Sequence, residues 1–224
     1  MTRYDFTTQP NRLDQNTMKW HEAESNPELL ELWVADMDFL PVPEIRDAVI
    51  NYAETHIFGY PYPSEELYQS IINWEKNQHG YVVDKESIVL IEGVVPAIST
   101  AIQAFTKEGD AVLINTSVYP PFARSVRLNN RRLIENSLVK VNGHFEIDFE
   151  QLERDIVEND VKLYVFCSPH NPGGRVWTKE ELTKVADLCQ KHGVLLVSDE
   201  IHQDLALYGN KHISMNTISD AYKD

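Results

Sequence analysis

Short, uniformly apolar runs that alternate with helical stretches are the feature of this sequence that most constrains its fold. The runs occupy residues 88–91, 111–114, 163–167 and 194–197. Strands of a parallel sheet have this character because helices cover both faces of such a sheet. The pattern therefore predicts an α/β fold with a mostly parallel sheet.

Helical spacing and end signals predict where several helices lie. Residues 44–56 place their apolar side chains on one face, and a second helix is expected from Ser64, a good N-cap, to about residue 78. A third is expected between Gly93 and about residue 105. A fourth is expected from Thr178 to about residue 192, with Gly193 as its C-terminal stop.

Composition and charge narrow the classes of function. The 224 residues are 42% hydrophobic and 25% charged, which is ordinary globular usage and allows a sizeable core. The net charge of −15 makes nucleic acid an unfavourable partner, since an acidic surface repels phosphate. Two cysteines, Cys167 and Cys189, cannot build a disulfide framework. With no signal-peptide pattern and no membrane-length apolar run, we expect a cytoplasmic protein that does not bind membranes.

Glycine or polar residues follow each apolar run, where ligands bind in open α/β sheets. Gly93 before a helix could hold a phosphate, and Tyr119 could stack on a flat ring. Asn171 could donate to a ligand oxygen, and Asp199 could pair with a cationic ring nitrogen. Each residue alone has a simpler structural interpretation, such as a tight turn, a rim aromatic or a cap. Together they predict a site for pyridoxal phosphate.

Three longer motifs resemble a known family. Residues 33–39 read WVADMDF, residues 168–177 read SPHNPGGRVW, and residues 199–205 read DEIHQDL. The chain resembles the fold-type I aminotransferase superfamily and, within it, the cystathionine β-lyase branch often called the MalY/PatB type. The resemblance runs over nearly the whole chain. It implies the large domain of a pyridoxal-phosphate-dependent transferase fold.

The resemblance implies which residues hold the cofactor phosphate. The backbone N–H groups of Gly93, Val94 and Val95 would bind the phosphate of pyridoxal 5'-phosphate. Tyr60 resembles a tyrosine that reaches the phosphate of the neighbouring subunit. The resemblance therefore also implies a homodimer in the full-length form.

It likewise implies which side chains contact the cofactor ring. Tyr119 would stack on the pyridine ring, and Asn171 would donate to its phenolic oxygen. Asp199 would pair with the protonated ring nitrogen. His202 stands near the phenolic oxygen, where ordinary aminotransferases usually have a tyrosine.

The activity implied is cleavage of a carbon–sulfur bond in an amino-acid substrate. Cystathionine or a related cysteine S-conjugate would yield a thiol, pyruvate and ammonia. An aminotransferase and a non-catalytic binding or regulatory protein on the same scaffold remain alternatives. A metal site is a further alternative, but its spacing matches no zinc motif; its residues would be Cys167, His170, His192 and His202.

The resemblance implies that the chain is incomplete. Residues 1–45 are expected to form an N-terminal arm that belongs to the small domain, and residues 46–224 part of the cofactor-binding large domain. The Schiff-base lysine is expected beyond Asp224, because Lys223 lacks the Ser/Thr-rich neighbours of that motif. We therefore expect the chain alone to lack lyase turnover and its sheet to have an open edge.

Overall fold

The computed structural model describes residues 4–13, 15–26 and 28–222. It divides into two compact units, Met1–Tyr62 and Pro63–Asp224. The assignment of residues 1–45 to the small domain stays a prediction, as does the boundary after residue 45.

The second unit alternates strands and helices as predicted, but it lacks the strand expected at residues 88–91 and has further elements that the sequence did not predict. The helices are α1 (Pro43–Thr55), α2 (Glu65–Trp74), α3 (Val94–Phe105), α4 (Pro121–Leu128), α5 (Phe149–Glu158) and α6 (Lys179–His192). The strands are β1 (Ala111–Thr116), β2 (Arg132–Ser137), β3 (Val139–Val141), β4 (His144–Glu146), β5 (Val161–Cys167) and β6 (Leu195–Asp199). A π-helical turn, Glu75–His79, continues α2.

In the first unit, ion pairs rather than a core hold the chain before α1. Asp38 accepts hydrogen bonds from Arg12 and Lys19, both at 2.7 Å, and from the Trp20 indole at 2.9 Å. The bond from Lys19 is the main reason that the pKa of Asp38 falls to about 2. Arg12 also donates to Asp36 at 2.8 Å. Two cations thus fix both aspartates of the WVADMDF motif.

The second unit is a parallel sheet between two helical layers. The strand order is β2-β1-β5-β6, and every pair is parallel. Helices α5 and α6 cover one face and α3 and α4 the other, so β1 and β5 are buried on both sides. The predicted fold class is confirmed.

Local signals set the ends of α6 as predicted. Thr178 and Glu181 form a reciprocal capping box at its start, and Gly193 ends it with a φ of 64°. Likewise the Ser64 hydroxyl accepts a hydrogen bond from the N–H of Leu67 at the start of α2.

The prediction of a strand at residues 88–91 is wrong. This segment pairs with no strand in the part of the chain that the structure describes, and Val89 is 83% exposed. A strand requires a neighbouring strand whose backbone groups pair with its own N–H and C=O groups. No described strand lies beside residues 88–91. Strand β6 is only half-buried, because among the described strands it pairs with β5 alone. Strand β2 is the other edge of the sheet, and the prediction that missing strands leave an edge open stays a prediction.

None of the helices in the described ranges has the length and apolar character that crossing a bilayer requires.

Candidate cofactor site

The segments that follow β5 and β6 begin side by side. Because the two strands are parallel and in register, Cys167 lies opposite Asp199 at their carboxyl ends. The N–H of Ser168 donates to the carbonyl of Asp199 at 2.9 Å. The loop containing Asn171 therefore starts directly beside the predicted anionic residue.

Tyr119 and Asn171 also lie on adjacent loops. The N–H of Tyr119 donates to the carbonyl of Asn171 at 3.1 Å. The Tyr119 ring is 42% exposed and packs edge-on against Phe122, with centroids 6.2 Å apart. An exposed ring supported from one side can stack on a flat ligand.

Asp199 is a buried carboxylate at the end of β6. It is 7% exposed, and its carboxylate accepts a hydrogen bond from the N–H of Ile201 at 3.0 Å. Burial raises the pKa of Asp199, although that N–H and the nearby His202 oppose the effect. Within the described residues Asp199 forms no salt bridge. Since an unpaired buried charge is costly, a cationic group on a ligand would stabilise this site.

The start of α3 provides backbone donors. Gly93 precedes the helix with a φ of 114°, a conformation that favours glycine, and no side chain caps this end. The first N–H groups of a helix have no partner within it. Those of Val94 and Val95 belong to this set and suit a phosphate.

A cavity of about 750 Å³ lies beside these elements, a size typical of small-molecule sites. Val94 and Asp199 both line it, which places the start of α3 and the end of β6 at one site. Apolar side chains such as Ile98 and Val197 form much of its wall. No lysine lines it among the described residues.

The other predicted residues lie outside this lining. Tyr119 and Asn171 are on the neighbouring loops, and half-buried His202 follows Asp199 by three positions. Tyr60 belongs to the first unit and is fully exposed.

Arg175 and Trp177 support the Asn171 loop, a role that sequence reasoning did not assign. The Arg175 guanidinium donates to Glu181 at 2.7 Å and lies 4.6 Å from the Trp177 ring centroid. The indole of Trp177 donates to the carbonyl of Cys167 at 2.9 Å. Both residues lie in the SPHNPGGRVW motif on which the family resemblance rests, and membership in that motif was the available signal.

His170 occupies a tight, buried place in the same loop. It is 3% exposed, and burial lowers its pKa to about 4, so the ring is neutral near pH 7. Its Nδ1 accepts a hydrogen bond from the N–H of Gly173 at 3.2 Å. A Cβ on Gly173 would lie 2.6 Å from that nitrogen.

Gly173→Ala is therefore expected to destabilise the chain by about 1–3 kcal/mol, the usual cost of overpacking. Gly174→Ala is the matched control, because its Cβ would meet nothing within 4 Å, although its φ of 65° adds strain of about 1 kcal/mol. Urea unfolding of both variants tests this. A loss of stability well below 1 kcal/mol for Gly173→Ala would contradict the close contact with His170.

The structure does not support the alternative metal site, which the sequence analysis placed at Cys167, His170, His192 and His202. The described residues contain no group of three or more His, Cys, Asp or Glu side chains that could hold a metal ion.

Comparison with known proteins identifies the class. Residues 27–221 match the family described as aminotransferase class I and II, and the chain belongs to this family. The chain is 41% identical, over 98% of its length, to cystathionine beta-lyase PatB of Bacillus subtilis (strain 168). It spans 58% of the length of that relative.

Two solved structures share the fold. A PLP-bound putative aminotransferase from Clostridium difficile 630 has a TM-score of 0.92 and 42% identity, covering 98% of this chain and 57% of that one. Cystalysin from Treponema denticola, which contains a pyridoxal 5'-phosphate cofactor, has a TM-score of 0.92 and 38% identity, covering 99% and 57%. The chain thus has the fold of these enzymes over slightly more than half of their length.

Proposed function

We propose that this chain forms the cofactor-binding part of a pyridoxal-phosphate-dependent carbon–sulfur β-lyase. Its substrates would be cystathionine or related cysteine S-conjugates, and its products a thiol, pyruvate and ammonia. The observation that best supports the cofactor is the buried carboxylate of Asp199 beside the cavity, which forms no salt bridge with any described residue. The choice of lyase rests on the likeness to proteins named cystathionine beta-lyase and cystalysin.

The residues present fit the phosphate and the ring nitrogen of the cofactor. The N–H groups of Val94 and Val95 at the start of α3 would hold the phosphate, whereas the N–H of Gly93 donates to the carbonyl of Ile91 at 2.8 Å. Asp199 would keep a proton on the ring nitrogen, since that cation supplies the partner its buried carboxylate lacks. When bound, the cofactor supplies an electron sink for the bond that is cleaved.

Three further side chains would fix the plane of the ring. Tyr119 would stack on one face, and the amide of Asn171 would donate to the phenolic oxygen. The side chain of His202 would lie near the same phenolic oxygen. The hydrogen bond between Tyr119 and the Asn171 carbonyl supports a shared role, because it keeps the two loops together.

The attachment lysine would come from polypeptide outside the described residues. None of the described lysines lines the cavity, so the described part of the chain would bind the cofactor without covalent attachment. We therefore propose that it works as part of a longer protein in the cytoplasm, where the buried, unpaired Cys167 and Cys189 stay reduced.

The longer protein would be a homodimer in which Tyr60 reaches the phosphate of the second copy. Tyr60 and three large side chains close to it in sequence are highly exposed in the chain itself, which supports contact with another surface. They are Ile57, Phe58, Tyr60 and Tyr62. Sedimentation of full-length Tyr60→Ala with cofactor titration tests this: a dimer with unchanged affinity for pyridoxal phosphate would contradict it.

The activity is tested on the longer protein by two assays run in parallel. Pyruvate release from cystathionine, without an added α-keto acid, is the expected result. Amino transfer that depends on an α-keto acid, without pyruvate release, would instead establish an aminotransferase.

A non-catalytic cofactor-binding protein is the second candidate. The observation that favours it is again the absence of lysine from the cavity wall within the described ranges. Saturable cofactor binding by the natural protein, without turnover and without covalent attachment, would support this candidate over the lyase.

A further inference from the structure

The turn that follows β6 contains two kinds of residue. Asp199 and His202 are the proposed cofactor contacts. The residues between and after them bond to other parts of the second unit: Glu200, Gln203 and Asp204. The sequence motif DEIHQDL therefore combines site residues with residues that attach the turn to its surroundings.

Glu200 makes the most buried of these attachments. Its carboxylate accepts hydrogen bonds from the Ser198 hydroxyl at 2.8 Å and from the N–H of Met215 at 2.9 Å. It also pairs with Nε2 of His212 at 3.0 Å. The side chains of Glu200 and His212 are 17% and 1% exposed. One carboxylate thus joins the end of β6 to a segment 12 to 15 residues further along the chain.

The far end of the turn is attached to the π-helical turn Glu75–His79. Gln203 donates to Glu75 at 2.8 Å, and Asp204 pairs with His79 at 2.8 Å. The His79 and His212 rings meet edge to face, with centroids 5.8 Å apart. The two attachments are therefore neighbours.

Hydrophobic burial does not hold this turn. Ile201 is 62% exposed and Leu205 is 47% exposed. Asp199 is attached through its side chain to the N–H of Ile201 within the same turn. The backbone of Asp199 is held by its pairing with β5. The orientation of its carboxylate depends in addition on the peptide that follows, and the nearest polar contacts of that peptide belong to Glu200.

We propose that Glu200, held by His212, is a positioning residue that fixes the Asp199 carboxylate for the cofactor ring. Glu200 itself contacts neither cofactor nor substrate in this role. It acts by tying the peptide next to Asp199 to a buried histidine and to the backbone of Met215. This inference rests on the proposed cofactor site, but its structural half is measurable without cofactor.

The test compares Glu200→Ala with Glu153→Ala in the full 224-residue chain. Glu153 is a matched control because it also pairs with a histidine, His192, at 2.9 Å, but between α5 and α6. Hydrogen exchange of the Ile201 amide is measured without cofactor, and affinity for pyridoxal phosphate is measured by titration. Glu200→Ala is expected to speed that exchange and to weaken that affinity by about tenfold each, since it removes hydrogen bonds to a charged group. Glu153→Ala should change neither.

A double-mutant cycle separates positioning from general destabilisation. In an Asp199→Asn background, Glu200→Ala should cause little further loss of affinity, because both changes act through the same carboxylate. Glu200→Gln retains an acceptor for Ser198 and Met215, so it should restore most of the affinity and remain folded if the alanine variant does not.

Two failures are distinguishable. If the unaltered chain shows no saturable binding, the proposed cofactor site is wrong, and the exchange of the Ile201 amide still decides whether Glu200 orders the turn. If the unaltered chain binds but Glu200→Ala changes neither exchange nor affinity, or its effect adds fully to that of Asp199→Asn, the positioning role is overturned.

Discussion

Asp199→Asn is expected to weaken the affinity of the chain for pyridoxal phosphate by about 100-fold. Removing one partner of a buried charge pair costs about 2–5 kcal/mol, and each 1.4 kcal/mol is about tenfold. Asparagine keeps the shape of the side chain and can still accept from the N–H of Ile201, so the loss would come from the charge. Titration monitored by cofactor absorbance measures it.

The same substitution is expected to stabilise the cofactor-free chain near neutral pH. Burial raises the pKa of Asp199 above its unfolded value, so the folded chain binds this proton more tightly. The stabilisation from this group is present below the unfolded pKa and is lost as pH rises through the folded pKa. Asparagine has no carboxyl group to titrate, so the Asp199→Asn variant does not lose this stability as pH rises. Its unfolding midpoint at pH 7 should exceed that of the parent, with the difference shrinking toward pH 3.

Glu158→Gln is the control for both measurements, because it removes one negative charge at an exposed position at the end of α5. It should leave affinity and the pH dependence of stability close to those of the parent chain. Unchanged affinity in Asp199→Asn would contradict the assignment of this carboxylate to the ring nitrogen.

Trp177→Ala is expected to lower the free energy of unfolding by about 3–5 kcal/mol, the usual cost of emptying a large buried aromatic site. Trp177 is 2% exposed and packs against Phe166, with centroids 5.8 Å apart. Its removal also leaves the Cys167 carbonyl without the indole donor. Such a loss is a large part of the roughly 5–15 kcal/mol that stabilises a typical domain.

Urea unfolding followed by circular dichroism measures this effect. Trp33→Ala is the matched control, since Trp33 is 63% exposed and its truncation empties no buried site. A loss below about 1 kcal/mol for Trp177→Ala, typical of surface positions, would show that the loop after β5 does not depend on this side chain.

The elements that sequence predicts well are those set by local chemistry. The capping box at Thr178 and the stop at Gly193 depend on neighbouring residues, so the bounds of α6 could be read directly. Pairing between strands is not local. Residues 88–91 have the composition of a strand but no partner, whereas β2 is a strand although its sequence, RLIENS, contains no apolar run.

The β3–β4 hairpin was not predicted, although its sequence contains a turn signal. Strands β3 and β4 form a hairpin around Asn142 and Gly143, both with positive φ, as a tight hairpin turn requires. In the candidate site, the strand-end residues were predictable because parallel strands end at one edge. The supporting contacts were not, since pairs such as Trp74 and Asp204 are 130 residues apart.

Titration of the purified 224-residue chain with pyridoxal phosphate, followed by borohydride reduction and intact mass measurement, tests the cofactor site most directly. We expect saturable binding of one cofactor per chain and an unchanged mass of 25.8 kDa after reduction, because no described lysine lines the cavity. Absence of saturable binding would contradict the cofactor site. A stoichiometric reduced adduct that peptide mapping places on a described lysine would contradict the proposal that the attachment lysine lies outside the described residues.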